Sequence, residues 1–155
     1  MTGYKELFIR TVKQSDFSDW KILYKKYLIF YKTNLTETEL VKLWTWFFEP
    51  QKQIYCFIAI VQNKPIGLIH FREYLRPIKA TNGMFIDDLY VDNAFRGQGT
   101  ARALIKAVRE FCVNKKINSV RWITAQDNHD AMKLYDQLAI QTPWRMYEMP
   151  IQDEV

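Results

Sequence analysis

Residues 85–106, FIDDLYVDNAFRGQGTARALIK, decide the fold of this chain, because they predict a strand, a glycine-containing loop and an amphipathic helix in succession. The first N–H groups of a helix lack intrahelical acceptors, and the helix dipole adds partial positive charge there. Gly97 and Gly99 let the backbone approach an oxyanion closely. Arg96 and Arg102 add formal positive charge. The stretch therefore predicts a phosphate or pyrophosphate site between the strand and the helix.

The spacing within this loop narrows the choice of ligand. A Walker A loop needs Gly-Lys followed by Ser or Thr, which is missing here. A dinucleotide fingerprint needs a small residue three places after its second glycine, where this chain has Arg102. Arg96, Gly99 and Ala101 instead fit the pattern Arg-x-x-Gly-x-Ala, which resembles the coenzyme A pyrophosphate loop of the GNAT N-acetyltransferases. The alternative is an ordinary strand-to-helix turn.

A second motif follows downstream. Residues 119–125, SVRWITA, predict a strand. Asn128, Ala131 and Tyr135 then follow at intervals of three and four, so they share one helix face. The GNAT family has these residue types at this spacing after a strand, and residues 143–149, PWRMYEM, resemble its final strand. The two motifs together resemble the family over about residues 85–150, whereas the N-terminal half resembles it only by pattern.

Other patterns complete the order of elements. Strands are predicted at 7–12, 54–61, 66–74 and 85–91, helices at 17–31 and from Thr36 to near Pro50, and a turn at 76–83. The order β-α-α-β-β-β-α-β-α-β is that of the GNAT fold. The resemblance implies an α+β protein with a mixed, mostly antiparallel sheet, helices on both faces and one splayed strand pair. We expect a single domain over residues 1–155.

Composition excludes several classes of protein. The chain is 48% hydrophobic and 25% charged, which is typical of a globular protein. No apolar run reaches the ~18 residues of a membrane span, and we expect neither a signal peptide nor a membrane partner. Cys56 and Cys112 are predicted core thiols, which favours the cytoplasm. His70 and His129 lack metal-ligand spacing, so no metal is expected.

The net charge of +5 could indicate a nucleic-acid partner. The basic residues are dispersed along the chain, however, and coenzyme A is itself a polyanion that needs positive charge. We therefore expect no nucleic-acid binding.

The resemblance implies acetyl-CoA as cosubstrate. Its pyrophosphate would bind the loop residues Arg96, Gly97, Gln98, Gly99, Thr100 and Ala101. Its pantetheine arm would enter the gap between the splayed strands and pair with the strand that contains Leu89, Tyr90 and Val91. Asn128 would bond this arm or anchor the helix start, although a bare N-cap would need no function.

The expected reaction is direct transfer of acetyl from the thioester to a primary amine. A free alkyl amine has a pKa of about 10.4, so the protein must bind the cation and help to remove a proton. Tyr135 is the candidate general acid for the leaving thiolate, since a phenol pKa of about 10 is close to that of a thiol. The alternative is a packed structural tyrosine. The N–H of Leu89 is the expected oxyanion donor.

Asp87 and Asp88 are the remaining catalytic candidates. Two adjacent acids in a strand beside a phosphate loop are costly unless they are solvated or used. Successive side chains point to opposite faces, so without a bulge only one can face the acceptor. Either aspartate could hold an ammonium group or accept its proton through water. The alternatives are a solvated edge or an ion pair with Arg72 or Arg121.

These observations predict an acetyl-CoA-dependent N-acetyltransferase for a polyamine, a diamine or a lysine-like amine, resembling the histone and polyamine acetyltransferase subgroup. The aromatic residues of the first two helices are expected to wall the acceptor side. Alternative acceptors are a protein or histone lysine in a basic peptide, an amino acid or an aminoglycoside. A non-catalytic acyl-CoA-binding regulator on the same fold is the alternative outside enzymes. By analogy with the family we expect a homodimer.

Overall fold

The computed structural model describes residues 5–152, which form two compact units. The first unit ends at Ile123 and contains a five-stranded sheet with three helices. The second begins at Thr124 and contains one helix. Within residues 5–152, no helix is both long enough and apolar enough to cross a membrane.

The elements follow the predicted order through the last helix. The strands are β1 (Leu7–Thr11), β2 (Ile54–Val61), β3 (Lys64–Arg76), β4 (Thr81–Val91) and β5 (Val120–Trp122). The helices are α1 (Phe17–Phe30), α2 (Glu37–Trp46), α3 (Thr100–Asn114) and α4 (His129–Leu138). The sheet order is β1-β2-β3-β4-β5, with antiparallel pairs except for the parallel pair of β4 and β5. The predicted α+β class with a mixed, mostly antiparallel sheet is confirmed.

Local chemistry explains two of the boundaries. Thr36 Oγ1 accepts the N–H of Glu39 at 3.1 Å and donates to Glu39 Oε1 at 3.1 Å, which starts α2 where the capping pattern predicts. The hairpin between β2 and β3 turns at Gln62 and Asn63, whose φ angles are +50° and +62°. Such a turn matches the twist of the two strands.

The two faces of the sheet have separate cores. On one face, α1 and α2 pack through Trp20, Tyr24 and Trp44 onto Cys56, Ile58 and Leu68. On the other face, the Phe111 ring of α3 lies 5.9 Å from Phe57 and 5.4 Å from Phe71. Neighbouring residues of a strand point to opposite faces, so Cys56 and Phe57 serve different cores. Cys112 is buried on α3, and both cysteines are free thiols as predicted.

Three sequence-based assignments need correction. Residues 143–149 form no strand, since residues 140–152 contain no regular element and Trp144 and Tyr147 are 75% and 91% exposed. Alternating apolar residues give a strand only where a second strand supplies the hydrogen bonds. The predicted turn at 76–83 is only a 3₁₀ turn, Pro77–Lys79, after which β4 begins. β5 has three residues rather than the predicted 119–125.

Candidate active site

A bulge in β4 turns both aspartates to the same face of the sheet. Asp88 lies opposite His70 of β3, while Ile86 lies opposite Phe71. Asp87 is therefore an extra residue that has no opposite residue in the β3 register. The extra residue shifts the alternation of side chains by one position. Both aspartates therefore face the α1 side. The expectation that only one of them can face the acceptor side applied to a strand without a bulge, and β4 has a bulge at this point.

Asp87 forms an ion pair with Arg72, as one of the sequence alternatives anticipated. Arg72 lies two residues after His70, on the same face of β3, and its Nε donates to the two carboxylate oxygens at 3.1 and 3.0 Å. Burial raises the pKa of Asp87, Arg72 opposes this effect and Asp88 adds to it, so the pKa lies above its ordinary value. The Asp87 side chain is 30% exposed and therefore within reach of water.

The edge of β4 beyond the bulge is open. β4 pairs with β5 only from Met84 to Ile86 but continues to Val91, so its last residues have no strand neighbour on that side within the described chain. β4 thus has an open edge beyond the end of β5, and the splay of the two strands stays a prediction. The N–H of Asp92 donates to Ile66 on the β3 side at 2.8 Å. Because alternate amides point to opposite edges of a strand, the N–H groups of Leu89 and Val91 point away from β3, towards the open edge of β4.

The loop between β4 and α3 depends on its glycines. Gly97 and Gly99 have φ angles of +74° and +84°, a region that favours glycine. α3 begins at Thr100, so the first amides of the helix, including that of Ala101, lack intrahelical acceptors. A Cβ at either glycine would meet no described atom within 4 Å outside its chain neighbours. Backbone donors beside open space fit a pyrophosphate group.

Arg96 contacts the end of β4 through its side chain. Its Nε donates to the carbonyl oxygen of Val91 at 3.0 Å, and its guanidinium carbon lies 5.6 Å from the Tyr90 ring. Gln98, between the two glycines, is exposed. Arg96 therefore joins the end of β4 to the loop and also keeps a positive charge beside it.

Asp88 accepts hydrogen bonds from a histidine and from tyrosines. We call these residues, together with Trp20, the Asp88 cluster (Trp20, Tyr24, Tyr27, His70 and Asp88). His70 Nδ1 lies 2.8 Å from Asp88 Oδ2, and Trp20 Nε1 donates to His70 Nε2 at 2.9 Å. The Tyr24 hydroxyl donates to Asp88 Oδ2 at 3.2 Å, and Tyr27 forms a further hydrogen bond to Asp88. The cluster lies between α1 and the β3–β4 pair.

The charge of Asp88 is held but not neutralised. Burial acts to raise the pKa of Asp88, but the hydrogen bond and the electrostatic effect of His70, followed by hydrogen bonds from Tyr27 and Tyr24, hold it below its ordinary value. Among the ion pairs of residues 5–152, none joins Asp88 to a lysine or an arginine. The Asp88 side chain is 18% exposed, so a small cation can reach it.

Tyrosine rings lie beside this carboxylate. Tyr24, Tyr27 and Tyr31 follow one side of α1, with ring centroids 5.5 and 4.8 Å apart along the row. The Tyr90 ring of β4 lies 6.4 Å from Tyr27. Burial, followed by the charge of Asp88, raises the pKa of all three α1 hydroxyls. These tyrosines therefore stay protonated, and their ring faces can attract a cation.

A second buried carboxylate lies on the opposite face of the sheet, in the Glu73 cluster (Tyr55, Glu73, Asn82 and Lys115). The Tyr55 hydroxyl donates to Glu73 Oε1 at 2.9 Å, and Asn82 Nδ2 donates to Oε2 at 3.1 Å. Lys115 forms an ion pair with Glu73, whose side chain is only 3% exposed. Burial acts to raise the pKa of Glu73, but these partners hold it below its ordinary value.

The second unit contains the other predicted site residues. Asn128 precedes α4, and its side chain makes no cap hydrogen bond to the helix. Its Nδ2 donates to Thr124 Oγ1 at 3.3 Å instead, so Asn128 occupies the N-cap position without capping the helix through its side chain. Ala131 and Tyr135 lie on α4 as the spacing predicted. The role of Tyr135 stays a prediction.

Trp20 and His70 were not among the predicted site residues. His70 was considered only as a metal ligand, and no group of three metal-ligating side chains occurs among the described residues. A usable signal was present, because His70 interrupts the apolar run of β3 at the same parity as Leu68. A polar side chain on a buried face needs a hydrogen-bond partner, and both aspartates were near it on β4.

Comparison with known proteins places this geometry in a family. The model of the acetyltransferase (GNAT) family matches residues 20–139. A D-amino-acid N-acetyltransferase of Saccharomyces cerevisiae is 25% identical over 144 residues, covering 92% of this chain and 89% of that protein. A thialysine N-epsilon-acetyltransferase of Caenorhabditis elegans is 32% identical over 85 residues, 55% of this chain and 52% of its own.

A solved structure shows the same fold. The aminoglycoside N-acetyltransferase AAC(6')-Iy in complex with CoA has a TM-score of 0.78 at 18% identity, over 98% of this chain and 99% of that one. The match to the family model covers most of the chain, and it includes the open edge of β4 and the glycine loop. The chain therefore belongs to the GNAT acetyltransferase family and is an acetyl-CoA-dependent N-acetyltransferase.

Proposed function

We propose that this enzyme acetylates a small primary amine that is cationic at neutral pH: a polyamine, a diamine or a lysine-like amine. The observation that supports this most is Asp88, a partly exposed carboxylate that is surrounded by His70 and tyrosine rings and has no lysine or arginine ion pair among the described residues. Such a site lacks one positive charge, which an ammonium group supplies. The thialysine relative, named for an N-epsilon amine, supports the same acceptor chemistry. We also propose membership of the histone and polyamine subgroup.

Acetyl-CoA is proposed to lie along the open edge of β4 and over the glycine loop. The amides of Gly97, Gln98, Gly99, Thr100 and Ala101, with the charge of Arg96, would bind the pyrophosphate. The edge formed by Leu89, Tyr90 and Val91 would pair with the pantetheine arm, since its inward amides have no strand partner among the described residues. Asn128 is proposed to bond the same arm.

The catalytic roles divide among four groups. Asp88 binds the ammonium, and Asp87, whose pKa is raised, accepts its proton through water and returns it to solvent. The N–H of Leu89 donates to the thioester carbonyl oxygen as it gains charge. Tyr135 donates its proton to the leaving thiolate and regains one, through water, from the second proton that the nitrogen loses as the amide forms. This role is supported by the motif alone. No acyl-enzyme is needed in this scheme.

A second candidate acceptor is the α-amine of an amino acid. The D-amino-acid N-acetyltransferase covers most of this chain, which favours it. The structure offers a cation for the acceptor carboxylate, because Arg72 is 45% exposed beside Asp87. Polyamines lack a carboxylate, so an amino-acid acceptor would use the charge of Arg72 and a polyamine would not.

Two further expectations belong with the proposed function. A homodimer is supported by the exposed apolar side chains of the C-terminal segment, which include Trp144, Met146, Tyr147 and Met149. Its mass in solution, measured by light scattering with and without Trp144→Ser, tests this. A cytoplasmic location is supported by the free cysteines Cys56 and Cys112.

The deciding experiment measures thiol release from acetyl-CoA with a panel of amines. The panel contains spermidine, putrescine, lysine, a basic peptide, an aminoglycoside and several D-amino acids. We expect turnover of the di- and polyamines or of lysine, and a loss of kcat of about 100-fold or more in Tyr135→Phe if Tyr135 is the general acid. Turnover of D-amino acids that falls in Arg72→Gln would favour the second candidate. Coenzyme A binding without turnover of any amine would contradict the proposal.

A further inference from the structure

A hydrogen-bonded chain of three residues runs from the core to the acceptor side of the sheet. Trp20 of α1 and His70 of β3 are 0% and 1% exposed, whereas Asp88 of β4 is partly open to solvent. Trp20 Nε1 lies 2.9 Å from His70 Nε2, and His70 Nδ1 lies 2.8 Å from Asp88 Oδ2. Each nitrogen of the imidazole therefore has one partner.

The indole of Trp20 fixes the direction of this chain. An indole N–H can only donate, so His70 Nε2 must accept and carries no hydrogen. The single ring hydrogen then lies on Nδ1 and is donated to Asp88 Oδ2. A doubly protonated imidazole would turn an N–H towards the N–H of Trp20 inside a sealed core, where no water can relieve the conflict.

The groups that face His70 do not alter this assignment. Tyr24 of α1 has its ring 4.8 Å away, and Cys56 of β2 lies opposite His70 in the sheet register. Burial raises the pKa of both groups, so both stay neutral. From β4, Asp88 receives the Nδ1 hydrogen and Asp87 is paired with Arg72.

We propose that Trp20 and His70 are a positioning pair that holds Asp88 as a fixed anion, which binds the ammonium of the acceptor but does not take its proton. This inference rests on the proposed function for the identity of the cation. His70 acts through Asp88 and touches neither the acceptor nor acetyl-CoA. Trp20 acts through His70, since its hydrogen bond holds the ring in one orientation.

The first test reads the imidazole directly in the wild-type protein. Long-range ¹⁵N–¹H correlation spectra of the ¹⁵N-labelled protein show the ring signals of its two histidines. The signals that disappear in His70→Asn are those of His70. We expect a protonated Nδ1 and an unprotonated Nε2 at neutral pH. A hydrogen on Nε2 at neutral pH would overturn the proposal.

The second test separates positioning from a purely structural role. The amide nitrogen of Asn, at the same distance from the backbone as Nδ1, can still donate to Asp88, whereas Leu cannot. We expect His70→Leu to raise KM for the amine about tenfold, with kcat and the KM for acetyl-CoA within about twofold of wild type. His70→Asn should recover most of that loss. Equal amine KM values in wild type and both variants, all folded by circular dichroism, would overturn the proposal.

The two tests also keep the proposals apart. If no amine is acetylated, the proposed function fails, while the tautomer measurement still decides whether Trp20 and His70 hold Asp88 in the manner described. If amines are acetylated but His70 has its hydrogen on Nε2, only the positioning pair is overturned.

Discussion

Asp88 and Glu73 are two buried carboxylates on opposite faces of one sheet, and they differ in how their charge is balanced. Glu73 has two uncharged donors and a lysine, and its side chain is 3% exposed. Asp88 has three uncharged donors, no lysine or arginine among the ion pairs of the described residues, and an 18% exposed side chain. The Glu73 cluster is electrically complete, and the Asp88 cluster is not.

This difference distinguishes a structural carboxylate from one that binds a ligand. Burying a charge without a counter-ion costs free energy. Such charges are therefore found mainly where they have a functional role. Hydrogen bonds from His70, Tyr24 and Tyr27 keep Asp88 ionised without neutralising it. The missing positive charge is then supplied by the amine that the enzyme acetylates.

The largest expected effect separates the two clusters by activity. Asp88→Asn should lower kcat/KM for the amine by about 100-fold or more, because the ammonium loses its buried partner. Glu73→Gln should leave kcat/KM within about twofold of wild type, since Glu73 is sealed from the acceptor. Thiol release at varied amine concentrations measures both. Equal losses in the two variants would remove the distinction.

The free energy of unfolding should fall more in Glu73→Gln than in Asp88→Asn. Glu73→Gln should lower the free energy of unfolding by about 1–3 kcal/mol, because Lys115 loses its counter-ion and donors lose their acceptor. Asp88→Asn should cost less, since it leaves no lysine or arginine of the described residues without a counter-ion. Urea unfolding of the two variants and the wild type gives the comparison. A greater stability loss in Asp88→Asn would contradict the assignment of the clusters.

The pH dependence of stability sharpens the comparison further. The folded pKa of Glu73 lies below its unfolded value, so its contribution is complete above about pH 4.3 and is lost as pH falls through the folded pKa. The stability gap between wild type and Glu73→Gln should therefore shrink in acid. Asp87 has a raised pKa, so protonation of its carboxylate favours the folded state as the pH falls.

The variant Asp87→Asn tests the direction in which the stability difference from wild type changes with pH. Asp87→Asn should be at least as stable as wild type at neutral pH and lose that advantage in acid, opposite in sign to Glu73→Gln. Unfolding free energies measured at several pH values for the three proteins decide this. The same sign for both variants would show that one of the two pKa directions is wrong.

The smallest expected effect concerns the loop and leaves both clusters untouched. Gly99→Ala places a side chain at φ +84°, which costs about 1 kcal/mol, and it should raise KM for acetyl-CoA about fivefold. The KM for the amine should not change. Ala103→Gly in α3 is the control, with a similar cost in stability but no strain in the loop. An unchanged KM for acetyl-CoA in Gly99→Ala would argue against the loop as the pyrophosphate site.

Local patterns predicted most of the fold. β2 has the predicted bounds, α2 begins after its predicted cap, and Gly97 and Gly99 adopt the conformations for which glycine is needed. Each of these features depends on neighbouring residues and on periodicity. The predicted strand at 143–149 failed because a strand needs a partner that local pattern does not supply.

The site was predictable only in part for the same reason. Asp87 and Asp88 were visible as an acidic pair, but their common face depends on the register between β3 and β4. The contact between Trp20 and His70 joins residues that are 50 positions apart in the chain. Such contacts follow from the packing of α1 on the sheet, which the sequence pattern indicated only as an apolar face.

The central claim is that Asp88 binds the cation of the acceptor, and inhibition by an amine analogue that cannot be acetylated tests it most directly. An alkyl trimethylammonium ion and its uncharged tert-butyl isostere have nearly the same shape and differ in charge. The account predicts that the cation competes with the amine at a concentration at least about tenfold lower than the isostere, and that Asp88→Asn abolishes this preference. Equal inhibition of the wild-type enzyme by the two compounds would contradict the account.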